Sequence, residues 1–400
     1  MLPSGLAGLA GRALRLFPDR FLQSVLPARY RYDPRDMPPP PVPPSAPVRL
    51  YIAPVNYAGQ AWQWARAAER NIPGVGAVSM SYRVGTEFGH PVDISVPALG
   101  YVMSKTCQRE QRQAVHDGFT HVIVEAGRHI FGRVFDQSVE RQVRELEADG
   151  VRVAMLAHGS DVRLPSRHAA ANPHSPYLDP SWSDVPGLQR EAERNRALLD
   201  RLKLPVFVST PDLLLDVPYG QWLPVVVDPT AWASSAGVLL RPRPVVAHAP
   251  SKSVVKGSAL IDPILRKMHD AGTIEYLRIA GVTSAEMPAV YRSADIVLDQ
   301  FRLGDYGVAA CEALAAGRLV IGHVSAHSRA HVASTTGHDL PIVEATVDTL
   351  ENVLSAVLAD RDRFRAVASD GAPFVASVHD GRRSAEVLRP FLTNLPGAST

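Results

Sequence analysis

The sequence predicts an α/β fold of two Rossmann-like halves, each a parallel sheet covered by helices, facing each other across a central cleft. Three observations lead there. From Val48 onward, short apolar runs alternate with helical stretches of about 10–15 residues, the rhythm of βαβ units. At 400 residues the chain is too long for one ordinary core. After a polar stretch around Pro229–Pro244, the same rhythm begins again. In each parallel sheet a ligand is expected at the carboxyl ends of the strands.

The elements follow in order. Residues 1–47 form a segment of their own. Leu2, Leu6, Leu9, Ala13 and Leu16 are spaced as one face of a helix, with Arg12, Arg15 and Arg20 interleaved. Met37–Pro47 holds much of the chain's proline and reads as a stiff extended linker rather than part of a core. The first half, 48–235, has strands at Val48–Ala53, His121–Val124, Val151–Ala157, Pro205–Ser209 and Trp222–Val227. A turn at Asn56–Gly59 precedes a helix at Gln60–Arg70, and another helix covers Gln137–Ala148. The second half, 236–375, has strands at Val245–Ala249, Glu275–Ala280, Ile296–Leu298 and Leu319–Gly322. Its helices are placed at Ser258–Ala271, Ser284–Ser293 and Gly307–Ala316. Residues 83–117 and 164–195 carry no motif.

Composition bounds the function. Hydrophobic residues make up 46% and charged residues 20%, values of a globular protein. A net charge of +2 gives no basic excess for nucleic acid. Two cysteines, Cys107 and Cys311, can build neither a disulfide framework nor a zinc cage. No apolar run is long enough to span a membrane, and Met1–Phe17 lacks the basic start and cleavage site of a signal peptide. A cytoplasmic protein is expected. The arginine-flanked stripe in residues 1–36 fits peripheral contact with the inner membrane face or a lipid-linked acceptor, and equally docking on the protein's own surface.

The chemistry concentrates in Ala294–Gly322. A strand runs into a loop with Gly304 and Gly307, and a helix of small residues starts at the second glycine. The free N–H groups of such a helix start, here around Gly307 and Val308, attract a diphosphate. Glu312 lies just over one turn inside, and helical side chains lean toward the N-terminus. Its carboxylate is therefore placed to meet the ligand, with a ribose diol as the natural partner. The apolar and small residues around it argue against a solvated surface position. Upstream, Lys256 follows a strand and loop, where a lysine can neutralise a leaving diphosphate. Ser251 and Lys252 stand in the same loop. In the first half, Val153–Arg163 ends a buried strand in a polar turn containing His158.

These segments resemble the retaining nucleotide-sugar glycosyltransferases of the GT-B fold, of the family 4 or group 1 type. That family carries Glu-Pro-Phe-Gly…Glu-Ala-Met-Ala-x-Gly-x-Pro-Val, two glutamates separated by seven residues. This chain reads Gly304-Asp-Tyr-Gly-Val-Ala-Ala-Cys-Glu312-Ala-Leu-Ala-Ala-Gly-Arg-Leu-Val. The second glutamate, both glycines and the aromatic at Tyr306 match. Gly304 replaces the first glutamate, with Asp305 one residue later. The resemblance spans roughly residues 48–392 as architecture and is motif-specific from His158 onward.

The resemblance implies a hexosyl-type transferase that needs no metal and no cofactor. It would take a nucleotide-diphosphate sugar as donor and pass the sugar to a hydroxyl of a glycan, lipid-linked or small-molecule acceptor. It makes His158, Lys256 and Glu312 the catalytic set. Donor binding falls to Ser251, Lys252, Val282, Met287, Asp305, Tyr306, Gly307 and Val308, with Val282 and Met287 beside the base. It also implies that the last helix, within 376–400, crosses back to the first half. Two other readings share the fold: a catalytically silent nucleotide- or sugar-binding partner protein, which Gly304 favours, and a non-hydrolysing nucleotide-sugar epimerase. A dinucleotide oxidoreductase is not supported, since no Gly-x-Gly-x-x-Gly follows the first strand.

Overall fold

The computed structural model describes residues 31–83, 89–250 and 253–393, with Asp19, Phe21, Ser24 and Pro27 from the segment before them. The apolar stripe named above lies outside the described residues. Twelve strands form two wholly parallel sheets among those residues. The first contains β1 (Val48–Ala53), β2 (Val75–Arg83), β3 (Ile94–Pro97), β4 (His121–Glu125), β5 (Arg152–Ala157), β6 (Val206–Val208) and β7 (Gln221–Trp222). Its order is β3-β2-β1-β4-β5-β6-β7. The second contains β8 (Val245–His248), β9 (Glu275–Arg278), β10 (Ile296–Leu298), β11 (Leu319–Gly322) and β12 (Ile342–Glu344), in the order β12-β11-β10-β8-β9. Every residue of β4, β8, β10 and β11 is buried, as a strand covered by helices on both faces requires. No described helix is long and apolar enough to cross a membrane.

Where the sequence reading and the structure differ, local chemistry explains it. Of the stretch read as Trp222–Val227 only Trp222 pairs as a strand, together with Gln221 before it. Beyond it, the Gln60 side chain acts as a substitute strand: its Oε1 accepts from Val226 N at 2.7 Å and its Nε2 donates to Val226 O at 3.1 Å. The helix expected from Ser284 starts at Met287, because Glu286 folds back to accept the N–H and hydroxyl of Thr283. β2 escaped notice because Gly76, Ser79 and Ser81 interrupt the apolar run, and β3 because it is only four residues long and carries Ser95. Ser79 is nevertheless buried, bonded to Asp93 through both its N–H and its hydroxyl at 2.8 Å.

The proline-rich segment is extended but does not stand off the body. A β-carbon at Gly76 would lie 2.6 Å from Pro44, and one at Gly118 or Gly100 would collide with Pro43 or Met37. These close approaches seat the segment against the first half. Before it, the Asp19 carboxylate accepts from the N–H groups of Lys105 (3.3 Å) and Thr106 (3.1 Å), at the start of the helix Lys105–Gly118.

The last helix, Arg382–Thr393, lies on the first half. Ser384 Oγ donates to Pro224 O at 2.7 Å, Arg389 to Asn71 O at 3.0 Å, and Phe391 packs edge-on to His121. His379 knots the crossing. Burial pushes its imidazole down to about 4, so the ring is neutral at physiological pH. It donates from Nδ1 to Val225 O at 2.8 Å and accepts from the Tyr306 hydroxyl at Nε2 at 3.2 Å.

Direct contacts also join the halves beside the cleft. Arg302, in the loop after β10, donates to His174 O (3.0 Å), Ser175 O (3.0 Å) and the Asp179 carboxylate (2.7 Å). Asn172 Nδ2 returns a bond to Arg302 O at 2.9 Å. Replacing Gly76 or Gly118 by alanine should drive a methyl group into the proline strap. Each change is expected to cost about 1–3 kcal/mol, read as a lower urea midpoint with an unchanged slope.

Candidate functional site

Two adjoining cavities open between the carboxyl ends of the sheets and share Ala58, Gly307 and Val308. The cavity on the second half has a volume of about 310 Å³ and brings together Lys256, Val282, Ser284, Met287, Val308 and Glu312. The one on the first half has about 430 Å³, with Tyr57, Trp64, Arg128, His158, Ser160 and Thr210 in its wall.

Their common floor is the start of the helix Val308–Ala315. Gly307 precedes it in extended backbone, and no side chain caps the first N–H groups. Val308 and Ala309 face the cavity there. An anion in the cavity would find unsatisfied donors and the positive end of the helix dipole.

Glu312 stands one turn deeper. Burial pushes its carboxyl up to about 8, the Lys256 ammonium pulls against that, and Asp299 adds to it. The group therefore keeps its proton at neutral pH. Lys256 forms an ion pair with the buried Asp299, which follows β10 directly. One ammonium proton engages Asp299, leaving two for a ligand. Behind them His248 is neutral, its ring pushed down to about 4 by burial and held by Leu298 O and Ser258 Oγ. Among the described residues no group of three His, Cys, Asp or Glu side chains is placed to hold a metal ion.

On the other side, the N–H groups of His158 and Gly159 donate to the Asp161 carboxylate, which fixes the turn after β5. The His158 ring meets Tyr57 edge-on at 5.1 Å and Trp64 at 5.8 Å. Its Nε2 lies 3.0 Å from Glu125, a fully buried residue that ends β4.

Of the residues singled out from sequence, Lys256, Val282, Met287, Gly307, Val308 and Glu312 converge on one cavity, and His158 lines its neighbour. Ser251 and Lys252 lie outside the described residues. Asp305 and Tyr306 require a correction, since neither lines the cleft cavities. Gly304 has φ +72°, and the turn it makes sends Asp305 into the contact between the halves. There the Asp305 carboxyl accepts from Asp212 N at 2.9 Å and from Tyr306 N at 2.7 Å. Burial and the adjacent Asp212 push Asp305 well above the usual carboxylate range, whereas Arg163 helps hold Asp212 down at about 2. Tyr306 is buried against His379. Glu125 and Asp299 were missed; each is an acid at the end of an apolar strand, and that position was the available signal.

Comparison with protein-family models gives no match, and neither does comparison with curated proteins. Solved structures do match. HepE of Anabaena, in complex with UDP and glucose, superposes with a TM-score of 0.54 at 13% identity, over 86% of this chain and 99% of that one. Sucrose-phosphate synthase from Thermosynechococcus elongatus gives 0.53 at 13% identity, over 88% and 99%. HepE bound to UDP-glucose gives 0.53 at 12% identity, over 86% and 99%. The chain has the GT-B fold of these proteins.

The raised Glu312 carboxyl has a consequence for stability. An unfolded glutamate ionises near 4.5 and this one near 8, so the stabilisation is complete below 4.5 and is lost as pH rises through about 8. Glu312→Gln mimics the neutral form at every pH. Melting curves should show the variant equal to wild type near pH 5 and more stable at pH 9, each kcal/mol counting for roughly 2–4 °C.

Proposed function

We propose that this protein is a metal-independent, retaining glycosyltransferase that moves a sugar from a nucleotide-diphosphate donor to a hydroxyl acceptor. The observation that carries the reading is one cavity combining an uncapped helix start, the Lys256 ammonium and the buried Glu312. The first two suit a diphosphate and the third a ribose diol. The GT-B fold supports the same reading, and the UDP and UDP-glucose of the HepE complexes make uridine diphosphate sugars the first donors to try.

In this reading the nucleotide lies in the cavity of the second half, with its base toward Val282 and Met287. The diphosphate rests on the N–H groups beginning at Val308. Negative charge grows on it as the sugar departs, and Lys256 is poised to answer that charge in the transition state. The sugar reaches the junction at Gly307, next to His158, and the acceptor enters through the larger cavity.

A silent, nucleotide-binding role is the second reading. Gly304 supplies no carboxylate to the sugar, and Asp305 is committed to the other half. Residues 1–36 are proposed to make the peripheral membrane or lipid-acceptor contact. Deleting 1–30, which spares the strap, should then remove liposome binding.

The decisive measurement is turnover with a panel of nucleotide sugars, with the anomer of the product assigned by NMR. Activity should survive chelation; a strict need for manganese or magnesium would overturn the proposal. Glu312→Ala, which removes both hydrogen bonds to the ribose diol, should weaken nucleotide affinity by roughly tenfold or more in calorimetry. Lys256→Ala should instead fall hardest on kcat. Nucleotide binding without transfer to any acceptor would select the silent reading.

A further inference from the structure

Glu125 is fully buried at the end of β4 and spends its carboxylate on two pieces of the cleft. Oε2 accepts from the N–H groups of Val55 (3.0 Å) and Asn56 (3.1 Å), in the loop after β1. That loop continues to Ala58, which borders both cavities. Oε1 takes Nε2 of His158 at 3.0 Å. A carboxylate can only accept, so the imidazole nitrogen facing it carries the hydrogen. The other nitrogen of a neutral ring is then an acceptor. No described group bonds Nδ1 of His158, whose ring lines the larger cavity.

We propose that Glu125 is a positioning residue for sugar transfer. It fixes His158 in the Nε2–H tautomer, leaves Nδ1 bare to accept from a hydroxyl of the sugar or acceptor, and registers the ring against the Val55–Gly59 loop. This rests on the transferase reading for its role, although the tautomer itself does not. Three other features support it. Tyr57 and Trp64 set the plane of the ring, so the remaining freedom is which nitrogen carries the hydrogen. The Asp161 carboxylate anchors the His158 backbone, so the ring cannot follow a retreating partner. Asn56 adds a second tie, accepting from Trp62 N at 3.1 Å and donating to Pro91 O at 2.9 Å.

Glu125→Gln separates the roles because an amide has one accepting oxygen. Two backbone N–H groups, of Val55 and Asn56, compete for it against one imidazole N–H. The oxygen should turn to the backbone and the amide NH₂ to His158, which inverts the tautomer. Nitrogen-15 NMR of histidine-labelled full-length protein should show Nε2–H in wild type and Nδ1–H in Glu125→Gln. The variant's kcat should fall roughly tenfold or more, as for loss of one strong hydrogen bond. Its affinity for UDP should stay within about twofold of wild type, since the residues proposed to hold the nucleotide lie in the other half. Glu125→Asp, still an acceptor, should keep the Nε2–H tautomer and recover part of the rate. An unchanged tautomer in Glu125→Gln overturns the proposal, and so does an inverted tautomer with undiminished kcat. The NMR result needs no turnover, so it stays separate from any failure of the transferase reading itself.

Discussion

Arg302 reaches from the loop after β10 into the opposite half, where two carbonyls and the Asp179 carboxylate share its guanidinium. A buried cation that loses its partners costs several kcal/mol, so the halves hold this arrangement or abandon it as a unit. Five residues later the chain enters the helix start at Gly307. The arginine therefore sets how far that helix start stands from His158. Next to it, Arg163, Asp212 and Asp305 form a second buried contact across the same seam. Two carboxyl groups so close cannot both ionise cheaply, and Asp305 is the one whose affinity for a proton is raised. The seam is polar, desolvated and specific in geometry.

The second-half cavity is electrostatically quiet before a ligand arrives. Lys256 is matched by Asp299, and Glu312 keeps its proton. For an anionic donor this matters, since an ionised Glu312 would repel a diphosphate across a short distance of low dielectric. A protonated carboxyl can also donate to one ribose hydroxyl while accepting from the other. In the proposed reading, a phosphate would meet the helix start and the lysine without the penalty of a facing negative charge.

How much of this was legible in the sequence depends on burial. Strands buried on both faces, such as His121–Glu125 and Leu319–Gly322, are nearly pure apolar runs and are read directly. β2 is buried over most of its length but carries Ser79 and Ser81, and the hydroxyl partner of Ser79, Asp93, stands 14 residues away, so its pattern is broken. The site follows the same rule. Lys256, Glu312 and the helix start lie in strand–loop–helix units whose directions are fixed by local geometry. Asp305 was misplaced because a residue with φ +72° precedes it, and one such turn decides which half a side chain faces. Glu125 has meaning only through Val55, Asn56 and His158, all at least 33 positions away.

The crossing helix also bears on the order in which the molecule can be completed. Strands β1–β7 are all made before residue 223, and a growing chain ordinarily folds its first half first. Yet the surface of that half includes a site for Leu388, Phe391 and Leu392, which are buried in the finished protein. Until Phe391 has left the ribosome, His121 and Phe207 lack the aromatic ring that covers them. The two halves are thus separate in architecture and joined in biosynthesis: the first half stays unfinished through the making of the second.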